Sequence, residues 1–233
     1  MNILAVGAHP DDLEFLCSGT LTLYSKQGHK VFMCHLLNGD LGHERIPRDE
    51  LKKIRRQEAI NAARIIGAES LTVDVADMEV YDNDETRLKM AEIIRIADPD
   101  VIITHSPDDY HPDHIATSKT VFSASFASTL PLLKTETPNN SKITPIYYMD
   151  TMAGINFLPE EYVDITEVIE TKKEILLCHD SQIEWLKSHH KMDMIEYLYS
   201  IARFRGIQCN VKYAEAFRKL NVWGRNVPKR LLP

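Results

Sequence analysis

Along the chain, short uninterrupted apolar runs alternate with longer stretches in which apolar residues return at every third or fourth position. The runs at 3–6, 31–36, 71–73, 101–104 and 146–149 are brief and rich in β-branched residues, which is the pattern of strands buried on both faces of a parallel sheet. The stretches 18–27, 49–66, 86–97 and 114–126 carry helical spacing and are predicted as crossover helices. Gly28 and Gly67 stand just past two of them, where helix-ending glycines belong. Strand and helix in alternation predict βαβ units, so the expected fold class is α/β, a mostly parallel sheet with flanking helices.

The pattern loosens after residue 130. Residues 130–145 are rich in Pro, Thr, Asn and Ser and read as a surface loop ahead of the last central strand. Residues 166–178 and 181–201 are predicted as two helices, followed by a closing segment near 213–217. The expected organisation is one domain over 1–233, with an α/β core at 1–150 and a C-terminal helical elaboration at 151–233 suited to a lid or an oligomer face. Apolar and aromatic residues in that second half favour a homo-oligomer.

Composition narrows the function classes. With 233 residues, 44% hydrophobic and 26% charged, the chain has the make-up of a globular protein with no disordered or fibrous bias. The net charge of -7, with Lys and Arg scattered among Glu as in 51–58, argues against a nucleic-acid partner. The apolar opening is too short for a signal sequence, and no apolar run reaches the roughly 20 residues of a membrane span, so no membrane association is expected. Cys17, Cys34, Cys178 and Cys209 show no paired short spacing, which argues against a zinc knuckle or disulfide framework and fits a cytoplasmic location.

Candidate chemistry concentrates in one local echo: His9-Pro10-Asp11-Asp12 and His111-Pro112-Asp113-His114. Each segment follows a predicted strand and precedes a helix, and ligands of open α/β sheets bind at the carboxyl ends of such strands. If the two strands are neighbours, the segments face one another. Each proline pushes the preceding His toward an extended conformation and is preset for a first helical turn, which puts His111 at an N-cap and His114 in the first turn.

His9, Asp12, His111 and His114 are the four candidate metal ligands, since a catalytic zinc takes three protein ligands and leaves a position for water. A metal there would acidify water and polarise a carbonyl, the two effects amide hydrolysis needs alongside a base and an acid. Asp11, next to a ligand yet free of that duty, is the natural base. Whichever His is left over stabilises the oxyanion or donates the proton. Two His and one carboxylate suit zinc and also iron, cobalt and nickel.

At these residues the sequence resembles the PIG-L/LmbE-like deacetylase family, whose motifs stand here as Ala8-His9-Pro10-Asp11-Asp12-Leu13-Glu14, followed by Gly19-Thr20-Leu21, and His111-Pro112-Asp113-His114. The resemblance spans roughly residues 1–125, with weaker similarity at Ser181-Gln182 and 213–217. It implies a Rossmann-like, LmbE-like fold and a zinc-dependent, or Fe²⁺-dependent, N-deacetylase of N-acetylglucosamine-type amino sugars. It further implies His9, Asp12 and His114 as metal ligands, Asp11 as general base, and His111, supported by Asp113, as stabiliser of the tetrahedral intermediate.

Within the family the chain looks nearest to the bacillithiol-pathway deacetylases of N-acetylglucosamine conjugates. That likeness implies a substrate contact for Arg55 in Arg55-Arg56-Gln57-Glu58-Ala59; the alternative is a solvated helix charge. The chain departs from the subgroup at Ser18-Gly19-Thr20 and in the loop 38–47 with His43, Glu44 and Arg45.

Other residues carry plainer expectations. His35 and His105 are expected beside the crevice in a supporting or core role, Glu14 as a structural hydrogen-bonding group, and Asp108 and Asp109 as shapers of the loop before His111. His189, His190, Trp185 and Tyr197 read as surface and packing residues. Competing readings of the whole are a metal-dependent hydrolase of a non-sugar amide and a metal-stabilised carbohydrate-binding protein without turnover.

Overall fold

Side chains that alternate between two apolar faces organise the molecule. The computed structural model describes residues 1–140 and 142–233, running β1 (Asn2–Gly7), α1 (Asp12–Leu16), α2 (Ser18–Lys26), β2 (Lys30–Leu37), α3 (Arg48–Ile65), β3 (Glu69–Val75), α4 (Asp84–Ala97), β4 (Val101–Thr104), α5 (Pro112–Ala127) and β5 (Ile146–Met149). There follow β6 (Glu161–Asp164), α6 (Ile169–Leu176), α7 (Asp180–His189), α8 (Met194–Gln208) and β7 (Ala214–Lys219).

The strands form one sheet in the order β3-β2-β1-β4-β5-β7-β6. Ile3 and Ala5 of β1 bury against α2, α6 and α8, while Leu4 and Val6 bury on the opposite face with α4 and α5. Burial on both sides is why the central strands read as continuous apolar runs. The five predicted strands and four predicted crossover helices are all present. Gly28 and Gly67 take the positive φ values of 79° and 65° that end helices.

The C-terminal part differs from a purely helical elaboration. It returns β7 antiparallel to β5 and adds β6 antiparallel to β7. Half-polar strands such as Glu161–Asp164 carry little apolar signal and were not legible. The helix expected over 181–201 is two, interrupted between His189 and Met194, where Lys191 has φ 57°. The Asp193 carboxylate then caps α8 by accepting the N–H of Ile195 and of Glu196 at 2.9 and 3.1 Å. The stretch 166–178 opens with a single 3-10 turn, Thr166–Val168, before α6.

β7 also braces the floor beneath the first motif. Glu215, buried, accepts N–H groups from Gly19 and Thr20 at 2.9 and 2.7 Å and pairs with buried Lys172 of α6. A Cβ on Gly19 would lie 2.8 Å from Ile165 and 2.9 Å from the Glu215 carboxylate, so only glycine admits this approach. No helix among the described residues is long and apolar enough to cross a membrane.

Candidate active site

The sheet order reverses direction between β1 and β4, which pair in parallel from Ile3↔Val101 to Val6↔Thr104. The loops leaving these adjacent strands therefore meet at the carboxyl edge, at the topological switch point where such folds bind ligands. One loop carries 9–12 and the other 105–111.

His111 is the N-cap of α5, extended at φ -91° and ψ 127°, with Pro112 opening the helix and His114 in its first turn. The loop after β1 does something rarer. Asp11 holds φ 129° at the start of α1, a conformation hostile to a side chain, and is fixed there by the Glu14 carboxylate accepting its N–H at 3.2 Å.

These constraints gather donors. One side-chain atom each from His9, Asp12 and His114 lies within 4.8 Å of the others. Asp12 Oδ2 is 3.4 Å from His9 Nδ1, and Asp12 Oδ1 is 3.2 Å from His114 Nε2. The opposite nitrogen of each imidazole meets its own carboxylate: His9 Nε2 lies 3.1 Å from Asp113 Oδ2, and His114 Nδ1 lies 3.2 Å from Asp109 Oδ1. The Asp113 bond favours the His9 tautomer that would leave its inner nitrogen free for a metal, and the Asp109 carboxylate stands in ion-pair range behind His114, as carboxylates do behind metal-binding histidines.

Charge agrees with that reading. Burial alone would lower both imidazoles, yet Asp113 and Asp12 hold His9 up at about 10, and Asp12 and Asp109 hold His114 up at about 9. The carboxylates thus demand positive charge at the spot where the donors converge, a demand a divalent cation meets. Among the described residues two further triplets share members with it, His9/His111/Asp113 and His105/Asp109/His114. Of the second, His105 and Asp109 are buried and absent from the cleft lining, and only His114 borders the cleft.

Asp113 therefore sits differently from the expected partner of His111. Its carboxylate accepts from Met78 N–H at 3.1 Å and faces His9, while its backbone N–H donates to His111 Nδ1 at 3.2 Å. That bond leaves the proton of neutral His111 on Nε2. Burial, then the charge on His9 and His114, lowers the His111 pKa and keeps this form.

Asp11 does not join the donor triplet. Burial pushes its carboxyl up to about 6, against the opposing pull of Arg55. Arg55 is only 2% exposed, which rules out the solvated helix charge. It donates to Pro10 O, to Gly39 O at 3.2 Å and to Asp11 Oδ1 at 3.2 Å, so it clamps the motif loop to the 38–47 loop.

The supporting residues behave largely as expected. His105 Nε2 accepts from Ala8 N–H at 2.9 Å, so its 3.2 Å approach to Asp12 is contact rather than a hydrogen bond. Burial lowers this imidazole to about 4 and keeps it neutral. Glu14 is buried and reaches His35 at 3.2 Å and His179 at 3.3 Å. Asp109 does more than shape a loop, since its carboxylate also stands 3.2 Å behind His114 Nδ1. An Asp two residues ahead of the second motif was the available signal, and only the fold showed which way it points. His179 was missed because nothing in its sequence surroundings links it to residue 14.

The donor cluster forms one end of a cleft of about 670 Å³. α7 is fastened over it: Ser181 donates through N–H and Oγ to Glu58 at 2.8 and 2.7 Å, and Gln182 Nε2 donates to Gly42 O at 3.0 Å. His189 and His190 are exposed as expected, His190 also bordering the cleft, while half-buried Trp185 lines it. Tyr197 does pack, stacking on Phe15 with ring centres 5.7 Å apart.

Fold and site together define a doubly wound α/β protein with a histidine–aspartate, metal-type cluster at its switch point. Residues 4–125 match the PIG-L family, described as GlcNAc-PI de-N-acetylase, and the chain belongs to that family. It is 30% identical over 193 residues to a probable N-acetyl-alpha-D-glucosaminyl L-malate deacetylase 2 of Bacillus cereus, covering 78% of this chain and 84% of that protein. The N,N'-diacetylchitobiose deacetylase structure from Pyrococcus horikoshii superposes with a TM-score of 0.81 at 26% identity, over 94% of this chain and 83% of that one. A 4-oxalmesaconate hydratase of Pseudomonas putida is 24% identical over 93% of this chain and 88% of its own length.

Proposed function

We propose that the protein is a metal-dependent N-deacetylase that removes the acetyl group from an N-acetylglucosamine-type sugar, with residues 1–233 acting as one unit. The observation that carries this reading is the donor triplet His9, Asp12 and His114, with Asp11 and His111 beside it at the end of an open cleft. Zinc or Fe²⁺ suits two imidazoles and a carboxylate, and a divalent ion held there would acidify a water to a pKa of about 7 and polarise a carbonyl oxygen.

The chain's own residues supply the rest. Asp11, held by Arg55 and by its strained backbone, accepts the proton of the attacking water. His111 donates from Nε2 to the oxygen that gains charge as the acetyl carbon becomes tetrahedral. The proton collected on Asp11 then reaches the leaving amine, giving acetate and the free amino sugar. Four free cysteines suit a reducing cytoplasm as the place of action.

The deacetylase relatives support amide hydrolysis. The hydratase relative's name describes water addition and not amide hydrolysis, and it is 24% identical against 30% for the malate-conjugate deacetylase. The test is acetate release from a panel of N-acetylglucosamine conjugates by protein stripped with a chelator and reloaded with zinc or iron. Metal-dependent release is expected. Release only from non-sugar amides would move the substrate, and sugar binding without release would leave a binding protein in place of an enzyme.

A further inference from the structure

Beyond the donor cluster the cleft changes character. Its far wall is built by Phe15, Met152, Trp185, Leu186, Met192 and Met194, contributed by α1, the 3-10 turn at Met152–Gly154, α7, the break after α7 and α8. Met78, Met152, Met192 and Met194, half of the chain's eight methionines, line this one cleft. Flexible thioethers make a wall that adapts to apolar groups of varied shape. Trp185 is half-buried there and is braced from behind by the His189 ring, 4.1 Å away between centres.

The rim is also apolar. Leu41, Met78 and Tyr110 are 47%, 52% and 67% exposed around the same opening. A contiguous apolar surface left open to water beside a polar cluster marks a place where a ligand is to be buried.

Charge points the same way. No lysine lines the cleft among the described residues, and its one arginine, Arg55, is committed to Pro10, Gly39 and Asp11. Asp77 adds a further carboxylate whose oxygens accept from Gly39 N–H and Leu41 N–H at 2.8 and 3.0 Å. Beyond the metal-type cluster the lining offers an anionic group neither a lysine nor an uncommitted arginine, and His190 is the one ionisable side chain beside the apolar wall, so burying such a group there carries a desolvation cost with little compensation. The volume, about 670 Å³, leaves room for a substantial group besides one sugar ring.

We infer that the substrate carries an apolar group, aryl or alkyl, on the side of the sugar away from the N-acetyl, seated on the Trp185–Met192–Met194 wall, and that acidic conjugates such as malate are poor substrates. This rests on the deacetylase reading and adds specificity to it. Trp185 and Met192 are the specificity-determining residues.

The test compares free N-acetylglucosamine, its phenyl and octyl glycosides and its malate glycoside. The phenyl and octyl glycosides should exceed the free sugar in kcat/KM by at least about 10-fold, the low end of what a buried apolar increment delivers. The malate glycoside should fall below the free sugar. Trp185→Ala should bring the ratio of phenyl-glycoside to free-sugar kcat/KM down toward one, and Met192→Lys should shift preference toward malate. Equal or better turnover of the malate glycoside would overturn the inference.

Binding is read separately, through quenching of Trp185 fluorescence in a Trp223→Phe background. Quenching saturated by phenyl glycoside but not by malate glycoside sustains the inference even if no acetate is released, an outcome that sinks deacetylation alone. The absence of selective quenching overturns it even if acetate is released.

Discussion

Replacing Arg55 by Met separates holding the proposed base, Asp11, from holding the substrate. The side chain is 2% exposed and donates to two backbone carbonyls and one carboxylate oxygen, so Met fills the space while orphaning Pro10 O, Gly39 O and Asp11 Oδ1. Breaking a buried ion pair from one side destabilises by about 3–5 kcal/mol, because the remaining partner stays buried without compensation. At about 2–4 °C per kcal/mol for a chain of this size, the expected fall in Tm is roughly 6–20 °C. Arg55→Lys should recover little, since an ammonium cannot span three acceptors as the guanidinium fork does.

The kinetic consequence follows from the same contacts. With Arg55 gone, Asp11 loses its lateral support, and a displacement near 1 Å at a catalytic group costs about 100-fold in rate. The expected pattern is a fall in kcat of that order with KM nearly unchanged, measured by acetate release at a temperature below the lowered Tm. A raised KM with kcat intact would refute the positioning role and return Arg55 to the substrate contact that the resemblance implies. A Tm within a degree of the parent would refute the clamp itself.

Further expectations concern the site and its frame. Asp11→Asn should bind zinc as the parent does, read by metal content after dialysis, yet lose nearly all turnover; retained turnover removes Asp11 as the base. Asp109→Asn should weaken metal affinity by about 10–100-fold, as loss of a carboxylate behind a ligating imidazole does, measured by competition with a coloured chelator. Burial pushes the Glu14 carboxyl up, but the imidazoles of His35 and His179 outweigh it and hold the group well below its usual value of 4.5. A depressed carboxyl contributes stability above 4.5 that is lost as pH falls, so Glu14→Gln should flatten the acid side of a Tm-against-pH profile. An unchanged slope there would show that the pairs with His35 and His179 add nothing.

How much of this was legible depended on how local the physics was. β1, β4 and the helices after them carry their own signals in apolar runs and in Pro112, so the meeting of His9 with His114 needed only the adjacency of two strands. Arg55 was ambiguous because an arginine on an amphipathic helix looks the same whether it faces solvent or a neighbouring carbonyl. The direction of Asp113 toward His9 was hidden for a related reason: sequence placed it beside His111, and the turn of α5 aimed its side chain elsewhere. β6 and β7 escaped because strands with Glu215, Arg218 and Lys219 satisfy their polar groups through distant partners such as Gly19 N–H and Lys172. Trp185 lacked any local mark of the cleft it lines.

The two halves of the site answer to different constraints. The donor end is fixed by short-range geometry: one strained Asp, two prolines and a carboxylate behind each imidazole. The far wall is held by a few long-range bonds, Ser181 to Glu58 and Gln182 to Gly42, spanning more than a hundred residues of sequence. Leaving one such buried partner unpaired costs about 1–3 kcal/mol, a sizeable share of the roughly 5–15 kcal/mol that holds a domain together. Those anchors sit at the start of α7, while Trp185, Leu186, Met192 and Met194 lie beyond them. Trp185, Leu186 and Met192, unlike the core residues Phe15 and Met194, can therefore change without disturbing the donor cluster or the anchors. Under the proposed deacetylase reading, such an architecture would let reaction type stay constant while the group recognised beyond the acetamide varies, and specificity is then to be sought in residues 185–194 and not in the motifs.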